Sequence, residues 1–201
     1  MIFGEPTNNE IFTGHKGLID YEINFNGKKA HASTPNKGIS ANMNAVKFLY
    51  ELDKFYNEEI KKDEEINYDI PYTTMNVGII DGGSAKNSVS AHCKITLDFR
   101  VINTVHIEKI ENKIDELVGK YNAKKKVIDI IEPFVDQIEF LDKIKTTNFM
   151  TEASKVNGAK RMILGTGPVT AHEVNEHISI ESYEKLIQQY KDLIYKICQN
   201  Q

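Results

Sequence analysis

Residues 18–25 read Leu-Ile-Asp-Tyr-Glu-Ile-Asn-Phe, apolar and polar in alternation from Ile19 onward. Successive side chains of a strand point to opposite faces. The stretch is therefore a strand with Ile19, Tyr21, Ile23 and Phe25 covered and Asp20, Glu22 and Asn24 facing the other way. Asn26-Gly27 ends it. A half-covered strand needs sheet neighbours and a layer packed on its apolar side, and the following residues supply both. From Ile39 to about Tyr56, Ile39, Met43, Val46 and Tyr50 recur at helical spacing, with Leu49 and Leu52 widening the stripe. Residues 73–80 form a second strand, stopped by Asp81-Gly82-Gly83. A third runs from about Val89 to Arg100 with Ala91, Cys93, Ile95, Leu97 and Phe99 on one side. Thr104 precedes a helix carrying Ile107, Ile110, Ile114, Leu117 and Tyr121, and Lys126–Ile131 is a fourth strand. The order over 18–131 is β-α-β-β-α-β, a split ferredoxin-like sandwich. The mixed charges of 58–65 read as solvated surface rather than as paired catalytic glutamates.

The flanks do not close a fold of their own. Met1-Ile2-Phe3 reads as the end of a buried strand, followed at once by Gly4-Glu5-Pro6. After the sandwich the pattern predicts a helical stretch over about 139–157 and a short strand at Met162-Ile163-Leu164. A closing helix follows, with Ile180, Tyr183, Ile187, Tyr190, Ile194 and Ile197 in a 3.6 period. These are pieces of an α/β domain with too few strands for the parallel sheet it needs, which is normally covered on both faces. The expected fold is α/β: a partial domain over 1–16 and 133–201, with the sandwich of 17–132 inserted in it.

Composition works by exclusion. The net charge of −4 leaves no electrostatic footprint for nucleic acid or an anionic membrane. Cys93 and Cys198 form no CxxC pair, which fits a reducing compartment. No signal peptide or bilayer-length apolar run occurs, so a cytoplasmic setting is expected. Residues 171–177, Ala-His-Glu-Val-Asn-Glu-His, resemble the zinc-protease helix motif His-Glu-x-x-His. However, His172 and His177 are five apart, about 140° around a helix, and one helix cannot turn both to one ion.

The punctuation falls into a series. Phe3-Gly4-Glu5-Pro6-Thr7, His15-Lys16-Gly17, His31-Ala32-Ser33-Thr34-Pro35, Gly82-Gly83-Ser84-Ala85-Lys86-Asn87 and Asp98-Phe99-Arg100 come in order. Thr151-Glu152-Ala153 and Gly165-Thr166-Gly167-Pro168, leading into Ala171-His172, complete it. This series resembles the two-zinc amidohydrolase and peptidase family of acetylornithine deacetylase, succinyl-diaminopimelate desuccinylase, aminoacylase and carboxypeptidase G. The resemblance implies a partial zinc-peptidase catalytic domain interrupted by a ferredoxin-like lid that also makes a homodimer. It implies two zinc ions per intact subunit, with cobalt as an alternative. Glu5 is then a ligand of one ion and His172 of the other, while Glu173, Glu176 and His177 are bystanders. His31 is implied to reach the partner subunit's site and donate to the scissile carbonyl oxygen. Asn87 and Arg100 are implied to hold the substrate's polar end, and Thr166 to line the pocket. From the residues alone, Arg100 is equally an outward strand residue paired with a neighbouring acid, and 165–167 a plain turn.

The sequence also departs from the family. Ser90 stands where the family often has proline. The family's N-terminal half supplies a His-x-Asp motif, a bridging aspartate and a Glu-Glu pair that holds the general base. None of the six histidines here is followed by x-Asp, and Glu58-Glu59 and Glu64-Glu65 fall on the wrong side of Gly-Glu-Pro-Thr. The expectation is the C-terminal part of a zinc amidohydrolase acting on small N-acyl amino acids or peptides, inactive alone, with a missing N-terminal catalytic segment as its partner. Thr151-Glu152-Ala153 points to the acetylornithine deacetylase branch. The desuccinylase and dipeptidase branches stay open, as does a non-catalytic dimerisation module.

Overall fold

A computed structural model describes residues 1–199; residues 200 and 201, the end of the third expected segment, lie outside the described residues. The chain opens with strands β1 (Ile2–Phe3), β2 (Gly14–His15) and β3 (Gly17–Asn26), then helix α1 (Ala41–Phe55). Strands β4 (Thr74–Gly82) and β5 (His92–Val101), helix α2 (Thr104–Lys120) and strand β6 (Ala123–Ile131) come next. Short strands β7 (Phe134–Val135), β8 (Thr146–Thr147) and β9 (Met162–Ile163) precede helix α3 (Ile180–Gln199). Two compact units result. One comprises Met1–His15, Asn67–Asp69 and the chain from Phe134 onward; the other is Lys16–Ile66 with Ile70–Pro133.

The second unit is the sandwich. Its sheet runs β4-β5-β3-β6 with every neighbouring pair antiparallel, the ferredoxin-like arrangement. The alternation in β3 organises it: Ile19, Tyr21, Ile23 and Phe25 are at most 1% exposed and pair with Phe99, Leu97, Ile95 and Cys93 of β5. Each such side chain contributes about 1.5–3 kcal/mol by leaving water. Helix α2 covers this face with Ile107, Ile110, Ile114 and Leu117, as its spacing predicts. Asn103 rather than Thr104 caps it, accepting the His106 amide at 2.9 Å.

Helix α1 overturns an expectation. Its core side is Ala41, Ala45, Phe48 and Leu52, whereas Ile39, Met43, Val46 and Tyr50 are 53 to 72% exposed. The sequence carries two apolar stripes there. The two alanines let the helix approach the sheet closely, and Phe48 fills the remaining space edge-on to Phe25 at 5.3 Å. The bulkier stripe is left outside. The sheet edges differ in kind: β6 carries Lys124, Lys125 and Lys126, charges that deter strand addition, while β4 exposes Ile79 and Ile80 beyond a register shift at Gly78.

The first unit is built around a parallel pair, β1 with β9, in the register Ile2↔Met162 and Phe3↔Ile163. A three-stranded sheet β7-β2-β8 accompanies it. Arg161 binds both carboxylate oxygens of Asp136, at 2.8 and 3.0 Å, and stacks 3.7 Å over the Phe134 ring. The helix expected over 139–157 does not form. That stretch holds β8 and one 3₁₀ turn, Glu152–Lys155. Tertiary partners take its backbone instead: the Thr13 amide donates to the Lys145 carbonyl, β8 pairs with β2, and Gly158 turns the chain at a φ of 80°. Helix α3 forms where expected, with its burial displaced. Leu193 is buried, Leu186 and Ile197 pack beside it, and Ile180, Tyr183, Ile187 and Ile194 are 41 to 78% exposed. A two-stranded sheet is too narrow to cover that stripe. Among the described residues no helix is long and apolar enough to cross a membrane.

Candidate functional site

In the first unit, Glu5 follows β1 and Gly165-Thr166-Gly167 follows β9. Both segments therefore leave the C-terminal ends of neighbouring parallel strands, the position where open α/β sheets bind ligands. The Thr7 hydroxyl accepts the Gly165 amide at 2.9 Å, and the Asn9 amide donates to the Gly165 carbonyl at 2.9 Å. The Asn8 amide reaches the Thr166 carbonyl at 3.0 Å. Asn8 and Asn9 turn through left-handed φ values of 53° and 62°, which asparagine tolerates better than most residues. The two loops are so close that a Cβ on Gly165 would overlap the Glu5 carbonyl and lie 2.7 Å from its carbon.

Glu5 is partly buried, and burial pushes its carboxyl pKa up; the negative charge of Glu152 adds to the rise. The sequence showed Glu152 only as part of a motif, with no sign that the 3₁₀ turn would bring it into electrostatic range of Glu5. His172 lies on an exposed loop, at a left-handed φ of 69° that is uncommon for a non-glycine residue. Thr170 closes that loop. Its hydroxyl accepts the His177 amide at 3.0 Å and donates to the His177 carbonyl at 3.1 Å. His177 Nδ1 in turn lies 2.7 Å from the Asn175 carbonyl. Residues 171–177 are thus a loop and not a helix.

The zinc that the resemblance implies needs a set of converging donors. Glu5 offers one carboxylate and His172 one imidazole, and among the described residues no three His, Cys, Asp or Glu side chains converge. A zinc site takes three or four protein ligands. The residues present do not make one.

In the second unit, His31 and Asn87 come together from distant sequence. The Ala32 amide donates to the Asn87 carbonyl at 2.9 Å, the Val89 amide to the Ala30 carbonyl at 2.8 Å, and His31 bridges Ser88. Both side chains are on the surface. Arg100 is not brought to them, because it lies eight residues along β5 from His92, roughly 26 Å of strand. Its guanidinium binds both oxygens of Asp98, at 2.9 and 2.7 Å. Asp98 belongs to a row of paired positions, Asn76, Asp98, Asp20 and Asp129, on the open face of the sheet. Burial raises the Asp20 pKa and Asp98 adds to it, so Arg100 relieves a crowded set of acids.

Comparison with known proteins agrees with this architecture. Residues 13–126 match the model of the M20 peptidase dimerisation domain. The acetylornithine deacetylase of Aliivibrio fischeri strain MJ11 is 26% identical over 98% of this chain, and that of Pasteurella multocida is 28% identical over 98%. The chain spans 57% and 56% of those two proteins. Among solved structures, a Staphylococcus aureus tripeptidase superposes with a TM-score of 0.69 at 23% identity, covering 90% of this chain and 51% of its own. The aminopeptidase PepT of Bacillus cereus does so at 0.65 and 19%, covering 90% and 51%.

Gly165→Ala is expected to destabilise the chain by about 1–3 kcal/mol, because backbone rather than a flexible side chain must move. Gly119→Ala, in α2 with nothing within 4 Å of its Cβ, is the control and should stabilise by up to about 1 kcal/mol. Urea unfolding of both variants checks this; a neutral or stabilising Gly165→Ala would remove the close approach from the account.

Proposed function

We propose, since this chain belongs to the M20 peptidase dimerisation-domain family, that it is the C-terminal part of an amidohydrolase that cleaves the amide bond of N-acyl amino acids. Relatives named acetylornithine deacetylase, matched along nearly the whole chain, support that substrate class. The observation that carries the reading is the meeting of the Glu5 and 165–167 loops at adjacent strand ends. Glu5 there is a half-buried carboxylate facing a second acid, an environment that a cation relieves. In this reading Glu5 and His172 ligate two different zinc ions, and the remaining ligands and the general base come from the part of the relatives' length that this chain does not match. The exposed stripe Ile180, Tyr183, Ile187 and Ile194 on α3 is where that segment packs. The mild negative charge and the cysteine usage support a cytoplasmic setting.

Within the site, His31 acts from the partner subunit and donates a hydrogen bond to the carbonyl oxygen as negative charge develops on it; loss of one such donor typically costs ~10²–10³ in rate. Asn87, mounted beside it, holds a polar substrate group, and Thr166 lines the pocket. Arg100 serves the substrate only by giving up Asp98.

The function is tested by assaying the purified chain with zinc on N-acetylornithine, alone and with the segment corresponding to the rest of the relatives supplied as a second polypeptide. Turnover is expected only in the mixture, and His31→Ala should lower its kcat far more than it raises KM. Turnover by the chain alone would contradict the reading, and none in a mixture shown to associate would favour a non-catalytic dimerisation module.

The homodimer is expected to form through the outer stripe of α1 and the edge of β4, where Ile79 and Ile80 are exposed. Val46→Asp, at a position 57% exposed, should leave the fold intact and shift the chain to monomer in sedimentation at tens of micromolar. A wild-type monomer, or a dimer indifferent to Val46→Asp, would place the interface elsewhere.

A further inference from the structure

The loop that carries His31 controls which of its ring nitrogens bears the proton. The Ser33 amide donates to His31 Nδ1 at 3.2 Å, and the Ser33 hydroxyl lies 2.7 Å from the same nitrogen. An amide N–H has one role only, so Nδ1 is the acceptor and the hydroxyl also donates to it. The neutral ring then keeps its proton on Nε2. The loop itself is held from both sides. Thr34 donates its amide to the His31 carbonyl at 2.9 Å, Pro35 opens a 3₁₀ turn, and pairing with 87–89 fixes residues 30–32.

We infer that Ser33 is a positioning residue for His31, selecting the neutral Nε2–H tautomer and aiming that N–H outward as a hydrogen-bond donor. Two of its groups contribute. The amide makes a protonated Nδ1 an N–H facing an N–H, and the hydroxyl stops the ring from turning about its own bond. A donor already in the right tautomer needs no rearrangement when charge develops on its acceptor, which is the advantage of a preorganised site. The inference rests on the reading of His31 as a donor to the scissile carbonyl, but its test does not.

The test is the tautomer of His31 in the full 201-residue chain, read from long-range ¹⁵N–¹H correlations at a pH where the ring is neutral. The Nδ1–H form is expected to fall below its share in an unstructured histidine peptide. Ser33→Ala, which keeps the amide and loses the hydroxyl, should raise it by about two- to tenfold, the net worth of one hydrogen bond. Ser33→Thr should restore the original ratio. An Nδ1–H share equal to the peptide's, or one unchanged by Ser33→Ala, overturns the inference. Because no substrate enters the measurement, it stands or falls separately from the kinetic effect of His31→Ala.

Discussion

A missing side chain at Gly165 allows the arrangement on which the first unit depends. Strands β1 and β9 run parallel and end together, and the loops that leave them touch backbone to backbone. Any Cβ there would overlap the Glu5 carbonyl, so the loops would separate and the Thr7 and Asn9 hydrogen bonds would lengthen or break. Gly167 repeats the constraint one step on, where a Cβ would lie 2.7 Å from the Asn8 Cα. The Asn9 amide group carries the tie to α3, donating to the Ser182 carbonyl at 2.9 Å, while the Ser182 hydroxyl receives the Gly167 amide at 2.7 Å. Position and backbone geometry of Glu5 thus follow from two glycines and a short polar lattice.

Each unit shows apolar surface that its own packing does not use. On α1 the outer stripe Met43, Val46 and Tyr50 lies on a helix whose other side is fully committed to the core. On α3 the residues Ile180, Tyr183, Ile187 and Ile194 are exposed, while Leu193, with Leu186 and Ile197, packs into the core beside Met162 and Leu164. Contiguous exposed apolar residues on soluble proteins mark interfaces more often than not. In the proposed reading the two surfaces serve different partners: the α1 stripe a second copy of the chain, and the α3 stripe the complementary segment.

Much of this was legible in the residues, and the failures have two causes. The alternation in β3 and the i, i+3, i+7 pattern of α2 gave correct faces because each has one apolar side and so one way to lie. Helices α1 and α3 carry more apolar residues than one face holds, and periodicity cannot say which stripe the core takes. The absent helix at 139–157 failed for another reason: Thr146 and Thr147 pair with strand residues more than a hundred positions away, which no local pattern announces. The motif order named Glu5, His31, Asn87, Thr166 and His172 as candidates, while the pairing of 30–32 with 87–89, the nearness of Glu152 to Glu5 and the bidentate Arg100–Asp98 contact needed coordinates.

In the proposed function this chain supplies only part of a metal centre, one carboxylate and one imidazole that serve different ions. Its most direct test is zinc binding to the purified chain, by equilibrium dialysis, with and without the complementary segment. The account predicts no tight site on the chain alone, and two zinc ions bound per chain once the segment is present, both weakened by Glu5→Gln or His172→Ala. Two tight sites on the chain alone would show that a complete centre lies within these residues and would contradict the account.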